Sequence, residues 1–232
     1  NSADHAREQN KPLPKEPPLW IKATTSLIPD GSKIEVPYPA HRTDFEAELA
    51  VVLADTPQGT RAEDAGSHVR LLLCLNDWTY RNLVPDELAK GFGFFCSKPA
   101  TSFAPFAVTP DEFGAAWLDG RLQGSMLVSV DGLRVGEPLT GPEMHFSFFE
   151  LIQHICRSRR FGAGTIVGSG TISNVASERG ITCLQERRAL ETIEQGAPQT
   201  PFLTAGQHVG IEFRLADGRA PFGSIQQQVI TS

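Results

Sequence analysis

The segment Asp44-Phe-Glu46-Ala-Glu48-Leu-Ala-Val-Val-Leu53 sets two acids one residue apart inside an apolar run. Side chains two apart on a strand share a face, so a strand over 45–53 places Glu46 beside Glu48. Two carboxylates on the inner face of a buried strand repel each other and lose hydration. Protonation, a basic partner or a metal ion must offset that cost. For the pair alone, the plain reading is an exposed Glu46, with Glu48 paired to an arginine such as Arg42.

The surrounding pattern is that of a strand-rich body. Val69 to Leu75 is almost wholly apolar and ends at Asn76-Asp77, as suits a central strand buried on both faces. Further strands are expected over 19–24, 33–36, 165–167, 181–184, 208–215 and 221–229. A hairpin over 126–135 is expected to turn at Asp131-Gly132. Short helices are expected over 1–10, 62–68 and 85–90. Phe148, Phe149, Leu151, Ile152 and Ile155 recur at helical spacing within 147–157. Irregular alternation of strands with short helices predicts a mixed α+β body, mostly β, rather than a doubly wound sheet. With no repeat or low-complexity tract, residues 1–232 read as a single domain.

Composition narrows the function classes. A net charge of −6 disfavours nucleic acid or an anionic membrane as partner. No apolar run approaches the roughly 20 residues of a membrane-spanning helix. The four cysteines (Cys74, Cys96, Cys156, Cys183) lack zinc spacing and read as buried free thiols of a reducing compartment. The cytoplasm is the default location, and a first residue of Asn rather than Met suggests a short missing or processed segment before it.

Asp77 closes the apolar strand at the point where a strand end opens into a cleft. Glu46, Glu48 and Asp77, with no Cys or His nearby, make a hard oxygen site suited to Mg²⁺, Mn²⁺ or Ca²⁺ and unsuited to Zn²⁺. No basic residue is comparably placed in the sequence pattern. Gly168-Ser-Gly-Thr171 lacks the Lys and the strand–helix setting of a phosphate loop, and Phe92, Phe94 and Phe95 read as packing residues.

Six motifs follow in one order: Asn1-Ser-Ala-Asp-His5-Ala-Arg-Glu8, Lys22, Asp44 to Val52, Asn76-Asp-Trp-Thr-Tyr-Arg81, Lys98, and Gly168-Ser-Gly-Thr-Ile-Ser-Asn174. Together they resemble the fumarylacetoacetate hydrolase family across essentially the whole chain. The resemblance implies a mixed β-roll or β-sandwich with short peripheral helices, a homodimer, and Mg²⁺ held by Glu46, Glu48 and Asp77. It also implies a small oxo-acid substrate and hydrolysis of a carbon–carbon bond in a diketo acid through a metal-chelated enolate. Decarboxylation of a β-oxo acid such as oxaloacetate, isomerisation of a 2-oxo acid, and ligand binding without turnover are the alternatives.

Within that resemblance Lys98 adds fixed positive charge near the enolate, Arg81 clamps a substrate carboxylate, and Thr171 offers its hydroxyl to the same ligand. His5 and Glu8 lie three apart, on one helical face, and form a dyad able to deprotonate water. Read alone, His5 is a solvated residue of a terminal helix. Cys183-Leu-Gln-Glu186 resembles the family segment that supplies the histidine's acidic partner, so Glu186 competes with Glu8. Asn82 after Arg81, Pro99-Ala-Thr101 after Lys98, and only Tyr38 and Tyr80 as tyrosines depart from the pattern and bear on the substrate.

Overall fold

The structure is a computed structural model, and it describes residues 13–23, 26–36 and 41–231. Its strands, in chain order, are β1 (Leu27–Pro29), β2 (Ile34–Val36), β3 (Thr43–Asp44), β4 (Ala47–Leu53), β5 (Val69–Asp77), β6 (Thr79–Tyr80) and β7 (Thr101–Phe103). They continue with β8 (Trp117–Leu118), β9 (Arg121–Leu122), β10 (Ser125–Val130), β11 (Leu133–Gly136), β12 (Ile166–Gly168), β13 (His208–Arg214) and β14 (Ser224–Thr231). The α-helices are α1 (Ala62–Ala65), α2 (Val84–Lys90), α3 (Phe148–Ile155) and α4 (Leu184–Gln195). One five-stranded sheet runs β1-β7-β5-β4-β12, and a second runs β11-β10-β13-β14-β2. The body is α+β and mostly β, as expected.

The two sheets enclose the main core. Ala47, Leu49, Val51 and Leu53 of β4, with Leu72 and Cys74 of β5, are buried in one cluster with Val128, Val209, Ile211 and Phe213 of the second sheet. The Cys74 thiol meets the Met126 sulfur at 3.8 Å across the gap. Strand alternation therefore turns Glu48, Ala50 and Val52 to the opposite face, where Ala50 packs with Leu73, Leu75 and Phe103. This corrects the expected inner-face position: the acids are buried on the face of the first sheet that points away from the second.

The hairpin of β10 and β11 forms as expected, and so does α3, where Ser147 and Glu150 make a reciprocal capping box. Two of the expected strands do not form. Within the expected strand 19–24, the described residues 19–23 contribute only an isolated bridge at Lys22, paired with Phe94. Ile181–Leu184 is no strand, because α4 begins at Leu184 and runs to Gln195. Its start is capped from far away: Asp44 accepts from the Leu184 N–H at 2.8 Å and from the Gln185 N–H at 3.0 Å. Gly196, with φ of 82°, closes the other end. Cys74, Cys156 and Cys183 are buried free thiols, whereas Cys96 is exposed. The described residues include no helix long and apolar enough to cross a membrane.

Candidate functional site

β4 and β5 are antiparallel, with Ala47 opposite Asn76 and Glu48 opposite Leu75. That register brings the start of β4 and the end of β5 together, and with them Glu46, Glu48 and Asp77. The backbone knits the corner: Asp77 N–H donates to the Glu46 carbonyl at 2.9 Å, and Glu46 N–H donates to the Asn76 side-chain oxygen at 3.1 Å. Asn76 is held in turn by the second sheet, through Gln227 of β14, whose side-chain oxygen also accepts from Trp78 at 3.0 Å and Ser102 at 2.6 Å. One oxygen from each of the three acids lies within 4.8 Å of the others, and all three side chains are buried.

Basic side chains crowd this corner, contrary to the expectation that none is comparably placed. Lys98 Nζ sits 2.7 Å from Glu46 Oε2, 2.9 Å from Asp77 Oδ2 and 2.7 Å from the Thr79 hydroxyl. Lys22 pairs with Asp77 Oδ1 and donates to the Thr101 hydroxyl at 2.6 Å. Arg81 reaches Glu46 Oε1 at 2.7 Å and Asp44 Oδ2 at 2.8 Å. Neither an exposed Glu46 nor a Glu48–Arg42 pair is found. Glu46 is 7% exposed and carries the two ion pairs just given.

The carboxylates differ sharply in their electrostatics. Burial alone would raise the Glu46 pKa, but Lys98 and Arg81 outweigh it and hold the group well below the usual carboxylate range. Glu48 goes the other way, pushed up to about 7 by burial and then by its neighbour Glu46. Among the described residues Glu48 has no ion pair; it accepts the Gly170 N–H at 3.1 Å and hydrogen-bonds with Glu46. Burial, with Lys98 beside it, lowers Lys22 to about 8.

A divalent cation fits this donor set. Glu48 is a buried carboxyl that keeps a proton near neutrality, next to two acids whose oxygens converge on it. A cation replacing that proton would relieve the Glu46–Glu48 repulsion. An oxygen-only set of this spread suits ions with bonds of about 2.1 to 2.6 Å, the Mg²⁺, Mn²⁺ and Ca²⁺ class.

The other expected site residues are placed as follows. Thr171 lies half-buried in the turn after β12. This segment hugs the triad: Gly170, with φ of 77°, donates its N–H to Glu48, and a Cβ on Gly168 at the end of β12 would stand 3.0 Å from Glu48 Oε2. Arg81, expected to clamp a substrate carboxylate, is turned toward Asp44 and Glu46 and is 14% exposed. Glu186 is buried at the first turn of α4, where it accepts the Thr182 N–H at 3.1 Å. His5 and Glu8 lie outside the described residues.

Lys22, Asp44 and Thr79 were not singled out as site residues. All three stand within the ordered motifs, Thr79 inside Asn76-Asp-Trp-Thr-Tyr-Arg81, and that is the signal the sequence carries for them. Phe92 and Phe95, expected to pack, are 87% and 72% exposed, while Phe94 lies beneath Lys98 at 5.6 Å from its ring centroid.

The family model described as fumarylacetoacetate (FAA) hydrolase C-terminal matches residues 1–230. An uncharacterized protein of Archaeoglobus fulgidus is 30% identical over 179 residues, 75% of this chain and 66% of that relative's length. The mitochondrial oxaloacetate tautomerase FAHD1 of Arabidopsis thaliana is 29% identical over 198 residues, 80% of this chain and 85% of its own. The 2,4-didehydro-3-deoxy-L-rhamnonate hydrolase of a Sphingomonas species is 30% identical over 177 residues, 74% of this chain and 58% of its own. Among solved structures, 5-carboxymethyl-2-hydroxymuconate delta-isomerase from Mycobacterium smegmatis superposes with a TM-score of 0.69 at 18% identity. The match covers 100% of this chain and 76% of that one, and it shows a shared fold.

Proposed function

Because the chain belongs to the fumarylacetoacetate hydrolase family, we propose that Glu46, Glu48 and Asp77 hold Mg²⁺ in an enzyme that hydrolyses a carbon–carbon bond of a small diketo acid. The observation that carries this reading is the buried triad itself, in which Glu48 alone lacks a cationic partner among the described residues. A bound divalent cation supplies Lewis-acid polarisation of adjacent substrate oxygens. The protein's own groups do the rest.

Lys98 and Lys22, fixed against Asp77, present two ammonium groups where negative charge grows on the fragment that leaves. Their burial strengthens that effect relative to water. His5, oriented by Glu8 or Glu186, takes a proton from water, and the resulting hydroxide adds to the distal carbonyl carbon. The carbon–carbon bond then breaks with its electron pair on the oxo-acid fragment, whose carbon takes up a proton. Thr171 and the turn around it orient the substrate from the Glu48 side. Arg81 holds Glu46 ionised and in place. The protein acts as a homodimer, which light scattering would test.

A second reading, enol–keto interconversion or decarboxylation of oxaloacetate, is favoured by the similarity to the Arabidopsis tautomerase. It needs the same lysines and acids but no activated water. A Mg²⁺-dependent assay on fumarylacetoacetate, acetylpyruvate and oxaloacetate separates the two. The proposed function predicts carbon–carbon cleavage that disappears in His5→Ala while metal binding persists. Turnover of oxaloacetate alone, unchanged in His5→Ala, would favour the second reading. Metal binding without turnover on any of the three would indicate a ligand-binding protein.

A further inference from the structure

Lys98 reaches the triad from a segment with almost no regular structure. Between the end of α2 and β7 the chain makes one isolated bridge, at Phe94. Hydrophobic burial contributes little to holding this loop: Phe92 and Phe95 point into solvent and Cys96 is exposed, while Phe94 packs at a tilt against the exposed Trp20 at 5.5 Å. Gly91 and Gly93 take positive φ of 75° and 109°, so the turn follows a path that other residues rarely adopt. Yet Lys98 Nζ is held against three partners in a buried site. Something must fix the loop.

One side chain on α2 does so. The Glu87 carboxylate accepts three consecutive backbone N–H groups: Phe95 at 3.1 Å, Cys96 at 2.7 Å and Ser97 at 3.1 Å. The Ser97 hydroxyl donates to the same carboxylate. Partial burial would raise the pKa of this group, but the four donors outweigh it and bring it down to about 2, so it stays ionised through the working range. On its other side, the Ser97 carbonyl accepts the Tyr80 N–H at 2.7 Å, which pins residue 97 between α2 and β6. Upstream, Phe94 N–H donates to the Ile21 carbonyl at 3.0 Å, so the same loop also braces the segment that carries Lys22.

We propose that Glu87 is a positioning residue, whose carboxylate fixes residues 95–97 and so delivers Lys98 to the acidic triad. The proposal rests on the reading that Lys98 acts at this site. Glu87 touches neither the triad nor the lysine, and its effect passes entirely through the loop backbone.

The test is a double-mutant cycle on the intact protein, with Glu87→Ala, Lys98→Ala and the double variant, alongside hydrogen exchange of the Phe95, Cys96 and Ser97 amides. Glu87→Ala is expected to lower kcat by about 10-fold or more with KM changed less than about 3-fold. The double variant is expected to be no slower than Lys98→Ala within about 2-fold. Exchange at the three amides is expected to speed by at least about 10-fold in Glu87→Ala, and Glu87→Asp should recover part of both losses. Losses that multiply in the double variant, or a Glu87→Ala enzyme with unchanged kcat, would overturn the proposal. Unchanged amide exchange in Glu87→Ala overturns it whether or not turnover is detected. Full activity of Lys98→Ala would instead defeat the reading of the site, leaving the exchange result to decide on the clamp.

Discussion

Replacing Glu48 by Gln should make the metal-free protein more stable, although it removes a ligand from the proposed metal centre. In the structure Glu48 is buried, shares a hydrogen bond with Glu46 and has no ion pair among the described residues. Its pKa rises from 4.5 to about 7. A raised carboxyl stabilises the fold fully below its unfolded pKa and loses that contribution as pH climbs through the folded value. Metal-free wild type therefore forfeits stability between about pH 4.5 and 7, up to about 3 kcal/mol for a shift of this size. Glutamine mimics the protonated form at every pH. Its amide can donate to Glu46 and its oxygen can still accept the Gly170 N–H.

At pH 8 with chelator present, Glu48→Gln should melt several degrees above wild type, since about 1 kcal/mol moves Tm by roughly 2–4 °C in a chain of this size. Saturating Mg²⁺ should reverse the order. At a metal concentration of about 1,000 times Kd wild type gains about 4.1 kcal/mol, more than the roughly 3 kcal/mol it forfeits, whereas the variant gains little. Thermal unfolding of both proteins, with chelator and with Mg²⁺, reads all four values. A metal-free Glu48→Gln protein less stable than wild type at pH 8 would refute the reasoning that Glu48 is a charge awaiting a cation.

Two other substitutions probe the frame around the triad. Asp44→Ala removes the cap of α4 and leaves the Arg81 guanidinium with Glu46 as its remaining acidic partner. A loss of about 3–5 kcal/mol is expected in denaturant unfolding, because a buried ion pair is broken from one side. Gly168→Ala places a methyl group within 3.0 Å of Glu48 Oε2. It should weaken Mg²⁺ binding in calorimetry by about 10-fold or more while changing the melting temperature of the metal-free protein little.

What could be read from the chain beforehand follows physical lines. The β4 and β5 segments were legible because Leu49 to Leu53 and Leu71 to Leu75 are unbroken apolar runs. α3 announced itself through its helical stripe of Phe148, Leu151, Ile152 and Ile155. The sequence of α4 is rich in good helix formers, yet its cap is Asp44, far away in the chain, and the apolar Ile181 to Leu184 run imitates a strand. The three acids were legible because carboxylates are conspicuous in apolar strands. Lys98 entered the site only through the family resemblance and Lys22 only as a motif residue without a role, since both reach the triad from irregular segments whose paths tertiary contacts define. For the same reason the E-x-E pair could be placed on one face of a strand, but which face could not be told.

The account stands or falls on the triad as a metal centre. Titration of Mn²⁺ followed by electron paramagnetic resonance addresses it directly, with wild type compared to Asp77→Asn and Glu48→Gln. One bound Mn²⁺ per chain, displaced by Mg²⁺ and weakened by at least about 10-fold in each variant, is the predicted result. Binding that both substitutions leave unchanged, or no binding at all to the wild-type protein, would contradict it.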